Sequence, residues 1–384
     1  MKRSFYYQVY VLFLILLLSG CSFAQSETSA NHLTIVSWNV QNLFDGTDNG
    51  FEYDEFKNGT GWNSEKYQAR LQSITAALKG DSRLNPDILA LIEVENEGVI
   101  LDLADSSCLN YKWSFFAGTP VYPADTWQDD DSFQSVPIGM GVLSALPFIE
   151  TRVHSFHLEN SSIPRPVAEV WVDTGSGPLV LLVCHWKSKL GGEKKTESLR
   201  RAGSALIARR LAEIEAERAG TPVIILGDLN ENYDEFSRIG AAYPCALLPD
   251  TEEAAALIQK APAGVRSDFR DFLVLSREKP PKPNFFTASG TSVYSPWYEL
   301  EEGLLETQSN SAGSYYYKDE WETIDHFLLN SALFNGHELS YGYFRVLSEP
   351  PFANAAGHPN TYNPRTGNGL SDHLPIVLIL NKRQ

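Results

Sequence analysis

The chain has 384 residues, 43% of them hydrophobic with eight Trp and 17 Tyr, enough for a packed core of one large domain or two ordinary ones. That composition excludes global disorder. The net charge of −17 excludes holding polyanions by bulk charge, so a phosphate-bearing ligand would need a cation or a local basic patch.

In chain order, Lys2 and Arg3 precede the unbroken apolar run 11–18, which is too short to span a membrane and reads as a signal-peptide core. Leu18-Ser19-Gly20-Cys21 follows and resembles the lipobox of bacterial lipoproteins. The resemblance implies cleavage after Gly20, acylation of Cys21 and a cell-envelope location, periplasmic or outer-surface, with a membrane contact through the lipid. The division expected is a signal peptide over 1–20, a lipidated Cys and flexible tether over 21–32, and one domain over 33–382. Cys108, Cys184 and Cys245 remain, an odd number that defines no disulfide framework; a Cys108–Cys245 bridge stays open. Cys184 sits in an apolar run and reads as a buried small hydrophobe.

From residue 33 onward strand-like runs alternate with helical patterns. Strands are predicted over 33–38, 87–94, 141–146, 167–172, 179–184, 223–226, 323–329 and 374–380. Helices are predicted over 64–79, with Ser64 as cap, over 193–218 and over 251–260. The remainder of 250–314, with Pro280, Pro281 and Pro283, reads as loop. Strands covered on both faces imply stacked α/β layers.

Polar residues recur where these strands stop. Asn39 ends the first and Glu93 sits inside the second. His185 ends 179–184, and Asp228 and Asn230 are set two apart, on one face of an extended segment. Asp325-His326 and Ser371-Asp372-His373 complete the set. Taken singly, each has a plainer reading as a turn former or a structural histidine. Together they are an inventory of hard oxygen donors, which suit Mg²⁺, Mn²⁺ or Ca²⁺ better than thiolate-bound zinc. Two histidines beside carboxylates can move protons.

The strings Ser37-Trp38-Asn39-Val40, Pro86 to Glu93, His185-Trp186-Lys187-Ser188, Gly227-Asp228-Leu229-Asn230, Ile324-Asp325-His326 and Ser371-Asp372-His373-Leu374-Pro375 together resemble the endonuclease/exonuclease/phosphatase superfamily, in family order. The resemblance implies a four-layer α/β sandwich, two packed mixed sheets flanked by helices, and a Mg²⁺-dependent hydrolase of phosphate esters. It implies metal binding by Glu93, Asn39 and Asp372, and phosphate contacts from Asn39, Arg165, Asn230 and His185. It further implies water activation by Asp228, proton transfer or phosphate binding by His185 and His373, and Asp325 as the partner of His373. Gln41 stands where abasic-site endonucleases carry Asp, which disfavours that subclass. Trp38 to Asp45 resembles extracellular bacterial nucleases, so a nucleic-acid substrate is the first expectation. A phosphatase or lipid-headgroup phosphodiesterase is the alternative, and a binding protein on a retired enzyme fold is a third. The acidic stretch 45–56 lacks the closing Glu of an EF-hand. The run 129–131 reads as a solvated loop, and the basic residues of 193–218, Arg200 and Arg210 included, as a solvated helix face.

Overall fold

The computed structural model describes residues 31–383 except 81–83, 85, 108–110, 119–136, 156–164, 261–270, 283, 287–290, 302, 304–311 and 337. The signal segment, Cys21, most of the tether, Cys108 and the 129–131 run lie outside the described residues. The elements are β1 (His32–Leu43), α1 (Ser64–Gly80), β2 (Ile88–Val94), α2 (Glu97–Ser107), β3 (Trp113–Ala117), β4 (Gly139–Ser144), β5 (Phe148–His154) and β6 (Val167–Asp173). Then come β7 (Pro178–His185), α3 (Glu193–Glu217), β8 (Val223–Asp228), α4 (Glu235–Arg238), β9 (Leu247–Pro249), α5 (Glu252–Lys260), β10 (Leu273–Ser276) and β11 (Thr291–Tyr294). The rest are α6 (Tyr298–Glu301), β12 (Tyr315–Tyr317), β13 (Glu320–Glu322), β14 (Asp325–Leu329), β15 (Leu339–Val346) and β16 (Ile376–Lys382).

Two mixed sheets pack face to face. One has the order β15-β16-β1-β2-β4-β3 and the other β5-β6-β7-β8-β14-β11-β10-β9; β12 and β13 form a separate hairpin. Side-chain alternation along β1 explains the layering. Leu33 and Ile35 turn into the space between the sheets, with Leu181, Val183 and Ile225 of the other sheet. Val36 and Trp38 turn outward against Leu71, Ile74 and Leu78 of α1. On the far side, Ile207, Leu211 and Ile214 of α3 pack into the cluster that the second sheet shares, with the helix against β10 and β11. This is the expected four-layer arrangement. Among the described residues no helix is long and apolar enough to cross a membrane.

The backbone departs from expectation in particular places. Residues 250–314, read as loop around one helix, also supply β10 and β11, whose short runs carry no periodic signature. The strands β3, β5 and β15 and the helix α2 had no prediction; β5 and β15 are half-exposed sheet edges, so their composition is mixed. The cap of α1 is Asn63, whose Oδ1 accepts the Lys66 N–H (3.0 Å), and Ser64 is the first helical residue. Both Cys184 and Cys245 are buried free thiols.

The α3 face is not simply solvated. Arg200 is fully buried between Glu197 (2.6 Å) and Glu231 (2.7 Å). Arg210 reaches the fully buried Glu169 of β6 (2.5 Å), which also accepts from Trp171 Nε1 (2.6 Å) and meets His154 (2.7 Å). Burial alone would raise the Glu169 carboxyl, but His154, Arg210 and Trp171 outweigh it and hold it down at about 2. The folded value lies below the unfolded one of about 4.3, so this stability is present above that pH and is lost as pH falls towards 2. Arg210→Met leaves a buried carboxylate short of its partner and is expected to cost about 3–5 kcal/mol at pH 7 in urea unfolding. The acid limb of its stability–pH curve should also flatten, and an unchanged midpoint at pH 7 would count against this role.

Candidate active site

All the strand-end polar residues meet at one end of the sandwich. The parallel pairs β1/β2 and β7/β8 deliver Asn39, Glu93, His185 and Asp228 from their C-terminal ends. The antiparallel neighbours β14 and β16 begin at that same end, so Asp325 starts β14 and Ser371 to His373 lead into β16. Register does the rest: His185, Asp228 and Asp325 lie side by side across β7, β8 and β14. The close approach of β7 and β8 requires Gly227, at φ 121°, where a Cβ would fall 2.1 Å from the Cys184 carbonyl oxygen.

The two sheets are joined at Asp228, whose Oδ2 accepts the Asn39 amide (3.0 Å) and whose Oδ1 accepts the Asn230 N–H (2.9 Å). His185 Nε2 lies 3.6 Å from Asp228 Oδ2 and 3.7 Å from Glu93 Oε1. Glu93, His185 and Asp228 each present a ligand atom within 4.8 Å of the others. Glu93 sits at a bulge in the β2–β4 ladder with φ 68°, which aims an acid out of an apolar strand, and its Oε2 accepts the Asn42 N–H (2.9 Å). Asp372 lies close enough to Glu93 and His373 to feel both charges, but outside that group of three. The expected extended Asp228–Asn230 segment is instead a turn: Asn230 has φ 51° and its amide donates to the Trp186 carbonyl (3.2 Å). Arg165 donates to that same carbonyl (3.0 Å).

Asp325 Oδ2 accepts from His373 Nδ1 (2.7 Å) and from Ser314 Oγ (2.6 Å). Burial alone would lower His373, but the Asp325 carboxylate outweighs it and holds the imidazole well above its usual range. His185 moves the other way, driven down by burial and then by Arg165, His373 and Lys187, so it is neutral at pH 7. Burial pushes Asp228 up to about 7, with the Asp325 and Glu93 charges adding to the rise and His373 opposing it. Asp372 is raised by burial too.

Several residues at the site gave no warning in the sequence. Arg70 of α1 is buried without a carboxylate partner among the described residues, and stacks 3.7 Å over the Tyr362 ring. It donates to the carbonyls of Val40 and Gln41 (2.5 Å each) and Asn42 (2.8 Å), which follow Asn39. Gln41 and Asn42 have left-handed φ, so the loop is strained and the guanidinium holds it. The one available clue was a cation on the buried face of α1, beside Tyr67, Leu71 and Ile74. Tyr53, in the loop before α1, feels both Arg165 and Glu93. Tyr315 lays its ring 4.6 Å from that of His373. Ser371 Oγ donates to the Asn39 carbonyl (2.6 Å) and Trp38 Nε1 to the His373 carbonyl (3.0 Å), which ties the last motif to the first.

The model of the Endonuclease/Exonuclease/phosphatase family matches residues 36–373. No curated protein sequence matches the chain. Among solved structures, truncated TDP2 from Caenorhabditis elegans is similar with a TM-score of 0.50 at 15% identity, over 91% of this chain and 97% of that one. The human Nocturnin catalytic domain with bound sulfate anion gives 0.47 at 15% identity, over 92% and 95%. Sphingomyelinase C from Streptomyces griseocarneus gives 0.46 at 18%, over 92% and 99%.

Two measurements check the geometry. Asp325→Asn removes the charge that keeps His373 protonated, so its imidazole resonances should titrate at a much lower pH than in the parent. Arg70→Met strips one buried and two partly buried carbonyls of their donor and is expected to cost about 2 kcal/mol. Amide exchange at Gln41 and Asn42 should accelerate beyond that global loss, and protection of both amides equal to the parent's would sink the assignment.

Proposed function

Because the chain belongs to the endonuclease/exonuclease/phosphatase family, whose members hydrolyse phosphoric esters, we propose that it is a metal-dependent phosphodiesterase of the cell envelope acting on nucleic acid. The observation that carries the chemistry is the convergence of Glu93, His185 and Asp228 beside a His373–Asp325 pair. Asp228 and Asp372 are raised by burial and by the neighbouring charges of Glu93 and Asp325, a crowding that suits a divalent cation, which would neutralise it. Glu93 and Asp228, with Asn39 and Asp372 beside them, would hold Mg²⁺ (or Mn²⁺ or Ca²⁺), and His185 lies within reach. The ion would supply charge neutralisation at the phosphoryl oxygens.

The chain's own groups supply the rest. Asp228, fixed by Asn39 and Asn230, is placed to accept a proton from the attacking water. His373 carries a proton that it can give to the departing oxygen as the phosphorus–oxygen ester bond breaks. Asn230 and neutral His185 can hold the phosphate. Arg165 and Lys187 have no ion pair among the described residues, and both act on His185. They offer an acidic protein the local positive charge that a phosphate needs.

The stretch Trp38 to Asp45, which resembles extracellular bacterial nucleases, favours nucleic acid over a membrane lipid. The tether enters at His32, and the site lies beyond Asn39, about 23 Å further along β1 at roughly 3.3 Å per residue.

Hydrolysis of bis-p-nitrophenyl phosphate and of plasmid DNA, with and without EDTA, tests the proposal. Both should be cut only with metal, and His185→Ala and Asp228→Asn should each lose about 100-fold or more. Cleavage of the small diester alone would move the substrate to lipid headgroups or inositol phosphates, and cleavage of neither would end the phosphodiesterase reading.

A further inference from the structure

Beside the site stands the β12–β13 hairpin, which belongs to neither large sheet. It is tied to the chemistry rather than to the core. Tyr315 bridges to His373, the Ser314 carbonyl accepts the Leu374 N–H (2.7 Å), and Ser314 Oγ donates to Asp325. Strand alternation divides its aromatic residues. Tyr316 turns one way and stacks on His358 (centroids 3.7 Å, planes 18° apart), with Trp321 edge-on at 5.1 Å. That contact fixes the hairpin's orientation. Tyr315 and Tyr317 turn the other way. The Tyr315 ring lies over the His373 imidazole at 4.6 Å and 33°, and the Tyr317 ring follows at 6.2 Å and 21°. A tilted ring and then a stacked one thus lead from the imidazole to a Tyr317 that is 50% exposed. Lys318 Nζ lies over the face of the Tyr317 ring, 5.1 Å from its centroid, on a flexible side chain that a stacking base would displace towards the neighbouring phosphate.

We propose that this face is a base-stacking platform, on which an unpaired nucleobase flanking the scissile phosphate lies against Tyr317 while Lys318 meets the neighbouring phosphate. The assignment rests on the nucleic-acid reading above and sharpens it. The first rung is the histidine that faces the phosphate, so a group on the platform is joined covalently to the reacting centre. Every base has a face to stack, so the platform accepts any sequence. A base held this way is not stacked inside a duplex, so single strands and frayed ends are preferred to double helix. A half-exposed ring contributes little to a core, whereas stacking a base on an aromatic ring strengthens binding about 5- to 150-fold per base.

The test is calorimetric binding of a four-nucleotide thymidine strand and of its base-free analogue, both to the full chain in EDTA, where no cleavage is expected. The base-bearing strand should bind at least about fivefold more tightly. Tyr317→Ala should bring that ratio close to one, and Tyr317→Trp should restore it. A ratio near one in the parent, or a ratio unchanged in Tyr317→Ala, overturns the platform. Cleavage of single-stranded DNA is scored separately. If it occurs while the ratio ignores Tyr317, the nuclease reading stands and the platform falls. If the ratio depends on Tyr317 but no strand is cut, the platform stands and the nuclease reading fails.

Discussion

The hydrogen bond from the Asn39 amide to Asp228 joins the ends of two strands that belong to different sheets. Every other distance in the site depends on it. Asp228 is flanked in register by His185 and Asp325, so placing it places both. Asn39 is in turn held through its carbonyl by Ser371, whose hydroxyl also accepts the His373 N–H. A change in the packing of the two sheets would therefore move the Asp228 carboxylate and the Asp325–His373 pair together. Groups that must act on one phosphorus atom need such rigidity, since small misplacements cost large factors in rate.

Charge is distributed unevenly over this acidic molecule. Arg200, Arg210 and Lys189 are spent on buried or half-buried carboxylates that stiffen the frame. Arg200 also bonds the Lys187 carbonyl (3.2 Å), and Glu231 follows Asn230 directly, so that ion pair braces two site loops from behind. At the site itself carboxylates are crowded, Asp228 and Asp372 are raised, and among the described residues Arg165 and Lys187 form no ion pair. A phosphate would find there the positive charge that an acidic chain lacks in bulk.

The backbone around the chemistry is strained. Gln41, Asn42, Glu93 and Asn230 all take left-handed φ values. Each departure costs on the order of 1–3 kcal/mol and lets a strand end turn its side chain or amide into the site. Arg70 and the side-chain bonds to Asn39, Glu93 and Asp228 offset that cost locally, so the strain persists only where tertiary contacts enforce it.

Much was legible without coordinates. Buried parallel strands read as unbroken apolar runs, so β2, β7 and β8 stood out, and polar residues recurring at the ends of several such runs, in an order that resembles the family's, gain a meaning that none has singly. That is why Asn39, Glu93, His185, Asp228, Asn230, Asp325 and His373 could be named. Edge strands such as β5 and β15 obey no such rule, and the short β10 and β11 lie in a region dominated by turn formers. The sequence alone determined which side chains end the buried strands and the order in which they come. Only the tertiary structure decided that they meet, because the contacts concerned span up to 335 residues and depend on register between sheets. It also decided the parts played by Arg70 and Tyr315, since an arginine on a helix and a tyrosine in a hairpin acquire meaning only from what lies across the fold.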